Sequence, residues 1–456
     1  VSRERPINAD VPAPKPQSVK GTETEVAPET PSEATEAPQP AAKQMGPGQP
    51  HRRRPVPGAL KLVALLVVVA IGFIAAAVVG GSGGPNSGEA PAPAPGGRIA
   101  SEGPTIESAE RLGYPAFATN NTTRVGGSDP ASNAAAVALA VFPSTTPAQR
   151  PAAVTLVGED DWAEAIAASV LMAPPVRAPV LFSGSNGPPE ATTDALNALD
   201  PRGAGSTAEA SAFLVGDVAT PDGISRAVHV GGAGAAATAA AVAKLRDRLF
   251  GKPPKHVVIA PSNQPGFAMP AAAWAARSGD PVLFAAGDSV PKPTAAALRR
   301  HHDVPVYVLG PSSAISSAGI RAIAKIDPRV HRVSGEDPVS NAIAFARYAN
   351  GSFGWNVNDP GHGFVLARDD SPLDAAAAVA LSASGTWGPL LLTHSADTLP
   401  TALREYFLDV KPGYTTNPTR AFYNHVWVIG DQEAIDVNQQ AKVNELAELA
   451  KIGGGG

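Results

Sequence analysis

Two acidic turns are the parts of this chain whose residue types and spacing could do chemistry: Gly158-Glu-Asp-Asp161 and Arg368-Asp-Asp-Ser371. Each follows a short apolar run, Val154-Thr-Leu-Val157 or Phe364-Val-Leu366, and so falls where a buried strand would end. The matching place between them is Pro261-Ser-Asn-Gln264. Ligands of open parallel sheets bind beyond the carboxyl ends of the strands. There Glu159, Asp160, Asp369 and Asp370 could accept hydrogen bonds from sugar hydroxyls or hold a cation. Their neighbours have a competing use. Asp161 with Glu164, and Ser371 with Asp374, have the spacing of a capping box, and Pro372 suits a first helical position. Asp161 and Ser371 are therefore read as helix caps. Trp162 could stack on a sugar ring or fill the core, and so could Trp387. Arg124 and Arg332 stand at equivalent positions of a repeated motif, with His229 between them. Such an Arg could bind an anionic group bidentately, or pair with carboxylates and hold two units together.

Other chemistry is hard to find. No Gly-x-Ser-x-Gly elbow and no Gly-x-Gly-x-x-Gly turn occurs at a strand-to-helix junction. No His cluster has metal-ligand spacing; His301-His302-Asp303 ends a helical stretch, where it favours the C-terminus electrostatically, and His394 and Asp397 are isolated. The chain has no cysteine, which excludes disulfides and thiolate metal sites. The sequence thus displays no nucleophile, base and orienting acid, and a binding protein rather than an enzyme is expected, with no cofactor and no metal. Up to Lys61 there are 9 basic and 7 acidic side chains, which leaves 27 basic and 34 acidic for the remainder. A main portion of net charge −7 argues against a nucleic acid partner, because neutralising phosphates takes clustered Lys and Arg.

The elements that must position these residues repeat. Arg124-Val-Gly-Gly-Ser-Asp-Pro-Ala-Ser-Asn-Ala134 returns as His229-Val-Gly-Gly-Ala-Gly-Ala-Ala-Ala-Thr-Ala239 and as Arg332-Val-Ser-Gly-Glu-Asp-Pro-Val-Ser-Asn-Ala342, 105 and then 103 residues on. Pro179-Val-Leu-Phe182, Pro281-Val-Leu-Phe284 and Pro389-Leu-Leu-Leu392 keep the same beat, as do Phe213-Leu-Val-Gly216, Tyr307-Val-Leu-Gly310 and Trp427-Val-Ile-Gly430. A period of about a hundred residues exceeds that of solenoid repeats, roughly 20–50, so each unit has the size of a small domain. Short unalternating strands separated by Ala-rich helices predict parallel sheets covered on both faces. Helices are predicted over 163–172, 193–199, 373–381 and 401–407, and over stretches opened by Asp129-Pro130 and Asp337-Pro338. The expected fold class is α/β, three tandem doubly wound parallel-sheet units at 120–225, 226–328 and 329–452.

Ahead of the units the chain changes character. Residues 1–58 are rich in Pro, Glu, Ala and Thr and are predicted to be disordered. Residues 59–80 contain 18 uncharged residues from Leu62 to Val79, enough for about 27 Å of helix and hence a transmembrane signal anchor. Arg52, Arg53, Arg54 and Lys61 precede that run, and no Lys or Arg follows until Arg98. The positive-inside rule then places the tail in the cytoplasm, free for an unknown partner, and the units outside. Residues 81–119 read as a linker.

The three anchors together resemble the cell wall-binding repeat 2 family of bacterial envelope proteins, across all three units and hence most of the chain. The resemblance implies three copies packed around a pseudo-threefold axis that hold a protein non-covalently to a cell-wall glycan or secondary wall polymer. The polar positions of the family pattern depart. Its second Arg falls at Pro130, Ala235 and Pro338, its Thr at Asn133, Thr238 and Asn341, and its Asp at Glu164, Phe267 and Asp374. A wall-binding protein that ties the membrane to the envelope is the leading expectation. An extracytoplasmic enzyme or enzyme modifier acting on peptidoglycan or polysaccharide, and a protein–protein module of an envelope complex, are the alternatives.

Overall fold

The computed structural model describes residues 117–383 and 388–452. The predicted tail, the apolar run 62–79, most of the linker and Trp387 lie outside the described residues. Among the described residues no helix is long and apolar enough to cross a membrane.

In chain order the first third contains β1 (Phe117–Ala118), β2 (Thr122–Val125), α1 (Pro130–Val141), β3 (Val154–Val157), α2 (Trp162–Ala168), β4 (Val180–Phe182), α3 (Glu190–Leu199), β5 (Ala212–Val215) and β6 (Ala227–Val230). The middle contains α4 (Ala235–Phe250), β7 (Val257–Pro261), α5 (Pro265–Ala268), α6 (Pro270–Ser278), β8 (Val282–Ala285), α7 (Lys292–Arg300), β9 (Val306–Leu309), α8 (Ser317–Ala324) and β10 (Val330–Val333). The last third contains α9 (Pro338–Arg347), β11 (Gly363–Arg368), α10 (Pro372–Ala377), α11 (Val379–Ala383), β12 (Leu390–Thr393), α12 (Thr401–Asp409), β13 (Gly413–Tyr414), β14 (His425–Ile429), α13 (Val437–Ala447) and β15 (Ala450–Lys451).

Three main parallel sheets result, with strand orders β4-β3-β5-β6, β8-β7-β9-β10 and β12-β11-β14-β2; β1 adds an antiparallel edge to the last, and β13 and β15 form a separate parallel pair. Each of these sheets ends on a strand that opens a repeat in the sequence, and β2, the first such strand, closes the sheet of the last repeat. Residues of β3, β5, β7 and β8 are wholly buried, which is why those runs read as apolar without alternation. The helices α2, α6 and α10 pack against one another. Their faces are alanines at 0–3% exposure, among them Ala165, Ala271 and Ala376, and so small a side chain lets helix backbones approach closely.

Two predicted helices are interrupted. The stretch 163–172 is α2 followed by a 3₁₀ turn, Ser169–Met172, where the Ser169 hydroxyl donates to the Ala165 carbonyl, a back-bond that bends helices. The stretch 373–381 divides into α10 and α11 at Ala378. Asp129 and Asp337 cap α1 and α9 through Ser132 N (2.8 Å) and Ser340 N (2.9 Å).

The two arginines read as candidate ligand contacts donate to backbone carbonyls of the fold. Arg124, on β2, is 1% exposed. It donates to the Gly430 carbonyl (2.9 Å), the Asp431 and Ile435 carbonyls, and Gln440 Oε1 (3.1 Å). It thereby stitches the first repeat's opening strand to the loop after β14, through carbonyls rather than the carboxylates expected of a unit-bridging Arg. Burial lowers its pKa, offset by the nearby charges of Asp431 and Asp436. Arg332 repeats the device on β10, donating to the Gly310 and Ile315 carbonyls, and is half-buried. His229, on β6, reaches Thr220 at 3.5 Å. Arg124 thus engages four of its five guanidinium N–H groups, and Arg332 two.

Replacing Arg124 by Ala strands those four acceptors and is expected to cost about 3 kcal/mol in urea unfolding, against about 1–2 kcal/mol for Arg332→Ala at its wetter site. A loss under about 0.5 kcal/mol for Arg124→Ala, within the scatter of ordinary surface changes, would contradict the stitching role.

Candidate functional site

The family pattern's polar positions meet at the contacts between repeats. Asn133 Nδ2 donates to Asp374 Oδ1 (2.8 Å), Thr238 hydrogen-bonds Glu164, and Asn341 Nδ2 donates to the Phe267 carbonyl (3.3 Å). Each link runs from one repeat to the preceding one, and the first closes onto the last. On the same side chains the oxygen accepts a backbone N–H six residues upstream: Gly127 to Asn133 (2.8 Å), Gly232 to Thr238 (3.1 Å) and Gly335 to Asn341 (3.3 Å). The space is tight. At Gly216, whose φ is +81°, a Cβ would lie 2.1 Å from Glu164 Oε2.

This arrangement corrects part of the capping expectation. Asp161 caps α2 through Ala163 N (2.9 Å) and Glu164 N (3.1 Å), but Ser371 makes no side-chain cap, its hydroxyl lying 3.4 Å from Asp370 Oδ1. Glu164 and Asp374 face the neighbouring repeat.

Beside the Asn133–Asp374 link opens a cleft of about 360 Å³, formed by the turns after β3, β11 and β14 and the start of α1. It gathers Glu159, Asp160 and Trp162 from the first repeat and Asp370 from the last. Asp129, Asp374 and Asp431 complete an acidic lining, and no Lys or Arg lines it. Several of these carboxylates are occupied: Asp129 by Ser132, Asp431 by Glu433 N and Ala434 N, and Asp370 by Arg368 at 2.6 Å. Glu159 and Asp160 are exposed. Partial desolvation in the cleft, then Asp129 and Asp160, raise the pKa of Glu159. Trp162 is half-buried and meets Phe284 edge-on at 6.0 Å, so it both packs and lines the cleft. Asp369 is not in the lining; its pKa is raised by burial and by Asp370, with His394 opposing. Among the described residues no group of three or more His, Cys, Asp or Glu is placed to hold a metal. Such a cleft can accept hydrogen bonds from hydroxyl or amino groups, and it repels phosphate and carboxylate.

The structure also assembles a polar chain that the sequence hid, at the opposite ends of the middle sheet's strands. Ser352 Oγ lies 3.1 Å from His256 Nε2, and His256 Nδ1 lies 2.9 Å from Asp280 Oδ2. Asp280 follows His256 by 24 residues and Ser352 follows it by 96, so no local motif announces the three. The legible signal is the repeat itself: strand register aligns His256 with Ala153 and Gly363, and Asp280 with Ala178 and Gly388.

Comparison with known proteins agrees with the family resemblance. Residues 229–319 match the family model for Cell wall binding domain 2 (CWB2), which bears out the resemblance drawn from the motifs. Two solved structures are similar, Cwp8 and Cwp6 from Clostridium difficile, with TM-scores of 0.55 and 0.56 and 20% identity in each case. Each likeness covers 72% of this chain, and 52% and 47% of those chains, so this chain matches about half their length. At that identity they show the mixed α/β fold with parallel sheets. No curated protein matches the chain.

Burial pushes the Asp374 carboxyl up from 3.8 to about 6; Asn133 opposes the rise, and Asp370, Asp129 and Asp431 add to it. The folded state therefore binds more protons than the unfolded chain between those values. Stability from this group is present below about pH 4, falls as pH rises through about 6 and is flat above. Asp374→Asn keeps an acceptor for Asn133 and should remove that slope. It should leave the protein more stable at pH 7 by about 2 kcal/mol in urea unfolding. An unchanged slope between pH 4 and 6 would contradict this assignment.

Proposed function

We propose that this chain is a membrane-anchored protein whose three repeats, packed around a pseudo-threefold axis, bind a cell-wall glycan. The CWB2 match over residues 229–319 carries the wall-binding reading. The closed ring of inter-repeat hydrogen bonds and the mutual packing of α2, α6 and α10 support the threefold arrangement. The acidic lining of the cleft, Glu159, Asp160 and Asp370 beside Trp162, favours a neutral or amine-bearing sugar over a polyanion. Carboxylates accept from hydroxyl and amino groups, an indole face suits the apolar face of a sugar ring, and like charges repel an anionic polymer. The arginines that could have served a polyanion, Arg124 and Arg332, donate to backbone carbonyls. Membrane attachment rests on the run from Leu62 to Val79 and its basic flank, with residues 1–58 inside and the repeats in the wall space.

Residues 98–452 are expected to sediment with purified peptidoglycan whether or not its anionic polymers have been stripped. Trp162→Ala should weaken that binding roughly tenfold, the order of a lost stacking contact, and Asp160→Asn, remote from the core, should also weaken it. Arg332→Gln should leave it unchanged. Circular dichroism checks that each variant folds, and binding that disappears with the anionic polymers would overturn the choice of ligand. For the anchor, protease added to intact protoplasts should digest the repeats and spare residues 1–58. Protected repeats would reverse the topology.

A further inference from the structure

The chain Ser352–His256–Asp280 lines a cavity of about 520 Å³ together with Lys255, Trp274 and Trp355. His256 is 6% exposed and Asp280 1%, while Ser352 is exposed at the tip of a tight turn. Asp280 is held from three sides. It accepts from the His256 backbone N–H (3.1 Å), from the His256 ring (2.9 Å) and from Trp274 Nε1 (3.0 Å). An ionised carboxylate only accepts, so the ring proton stands on Nδ1 and Nε2 is left to accept from the Ser352 hydroxyl. The turn that carries Ser352 closes through Asn350 N to Phe353 O (2.8 Å) and Phe353 N to Asn350 O (3.0 Å), which leaves the Ser352 N–H outside the ladder. Gly351 takes φ +61° and Gly354 φ +102°; at Gly354 a Cβ would lie 2.2 Å from the Tyr348 carbonyl, so the turn has one tight course.

The fold does not require these polar groups. The equivalent pairs in the other sheets are Ala153 with Ala178 and Gly363 with Gly388, small residues that pack the same strand ends without a charge. Among the described residues, this placement of a buried carboxylate, an aligned imidazole and an exposed hydroxyl at the amino ends of the strands occurs beside the middle sheet alone.

We propose that Ser352, His256 and Asp280 are a nucleophile, general base and orienting acid that hydrolyse short-chain carboxylic esters. Ser352 Oγ attacks the ester carbonyl carbon while His256 Nε2 takes the hydroxyl proton, and Asp280 stabilises the imidazolium. The Ser352 N–H donates to the oxyanion of the tetrahedral intermediate. Collapse breaks the bond to the alcohol oxygen, which leaves with the proton from His256, and an acyl-Ser352 ester remains. Water then attacks that ester, with His256 again taking and returning a proton, to release the carboxylic acid and restore Ser352. The Trp274 and Trp355 side chains give the cavity apolar walls for a small acyl group, with Lys255 at the rim beside the alcohol portion.

The test uses the full chain, p-nitrophenyl acetate as substrate and a fluorophosphonate as active-serine probe. The expected result is one label per chain, on Ser352 by peptide mass spectrometry, and release of p-nitrophenolate that Ser352→Ala lowers at least ~100-fold, the scale of a lost nucleophile–base step. His256→Gln should suppress labelling of Ser352. Because Ser352 is exposed, Ser352→Ala is expected to keep the wild-type circular dichroism and to bind peptidoglycan normally, which separates loss of this activity from loss of wall binding. Absence of label on Ser352 in the wild type, or hydrolysis unchanged in Ser352→Ala, would overturn the proposal.

Discussion

A parallel strand buried on both faces must find hydrogen-bonding neighbours on both sides or lie at a protected edge, and that constraint organises this molecule. Within each sheet the order begins with two strands of one repeat, continues with its third, and ends with the opening strand of another. The repeat seen in the sequence is therefore offset by one strand from the sheet seen in space. Closure of the last sheet by β2 makes the offset cyclic, since the first strand of the first repeat has no earlier sheet to complete. Arg124 is the consequence at side-chain level. A guanidinium with several fixed donors gathers the carbonyls of the loop after β14 and ties the first repeat to the last at 1% exposure.

The same offset creates the cleft. Turns that follow β3 and β11 belong to different sheets, and they meet because α2 and α10 pack against each other with alanine faces. Once helix backbones are that close, the first turns of the helices need polar partners across the gap. Asn133 with Asp374 and Thr238 with Glu164 supply them. The third contact uses a backbone carbonyl in place of a carboxylate, because Phe267 stands where an acid stands in the other two repeats. A carboxylate is drawn into the interior at two junctions and absent from the third. The three junctions are thus alike in geometry and different in charge, and the acidic cleft develops beside the one that buries Asp374.

Much of this was legible from apolar periodicity. Strands β3, β4, β7, β8 and β12 are short uninterrupted runs bounded by Pro, Gly or polar residues, and their burial on both faces explains why no alternation appears. Helix entries at Asp129 and Asp337 were legible because Asp followed by Pro suits a cap and a first helical position together. Polar roles were harder to read, because spacing along the chain does not say what lies across a contact. Asp374 has capping spacing from Ser371, yet its carboxylate serves Asn133, 241 residues away. Arg124 and Arg332 have the type suited to an anion but sit on strands whose ends present carbonyls. Ser352 and His256, 96 residues apart, come together only because the loop between α9 and β11 folds back over the amino-terminal edge of the middle sheet.

Triplication supplies a control that a single domain lacks. Where all three units carry the same device, as with the Asn or Thr oxygen that accepts a glycine N–H, the scaffold itself demands it. Where one unit alone carries a destabilising group, the scaffold does not. Burying a carboxylate without hydrogen bonds is strongly unfavourable, and Asp280 needs His256 and Trp274 to be tolerated at all. Alanine or glycine at the equivalent places gives the same strand pairing without that penalty. The two ends of the parallel strands are thus free to differ. The carboxyl ends form the inter-repeat junctions and the acidic cleft, while the amino ends of the middle sheet hold an imidazole aligned on a hydroxyl. One fold can keep both because the cleft and the cavity share no lining residue.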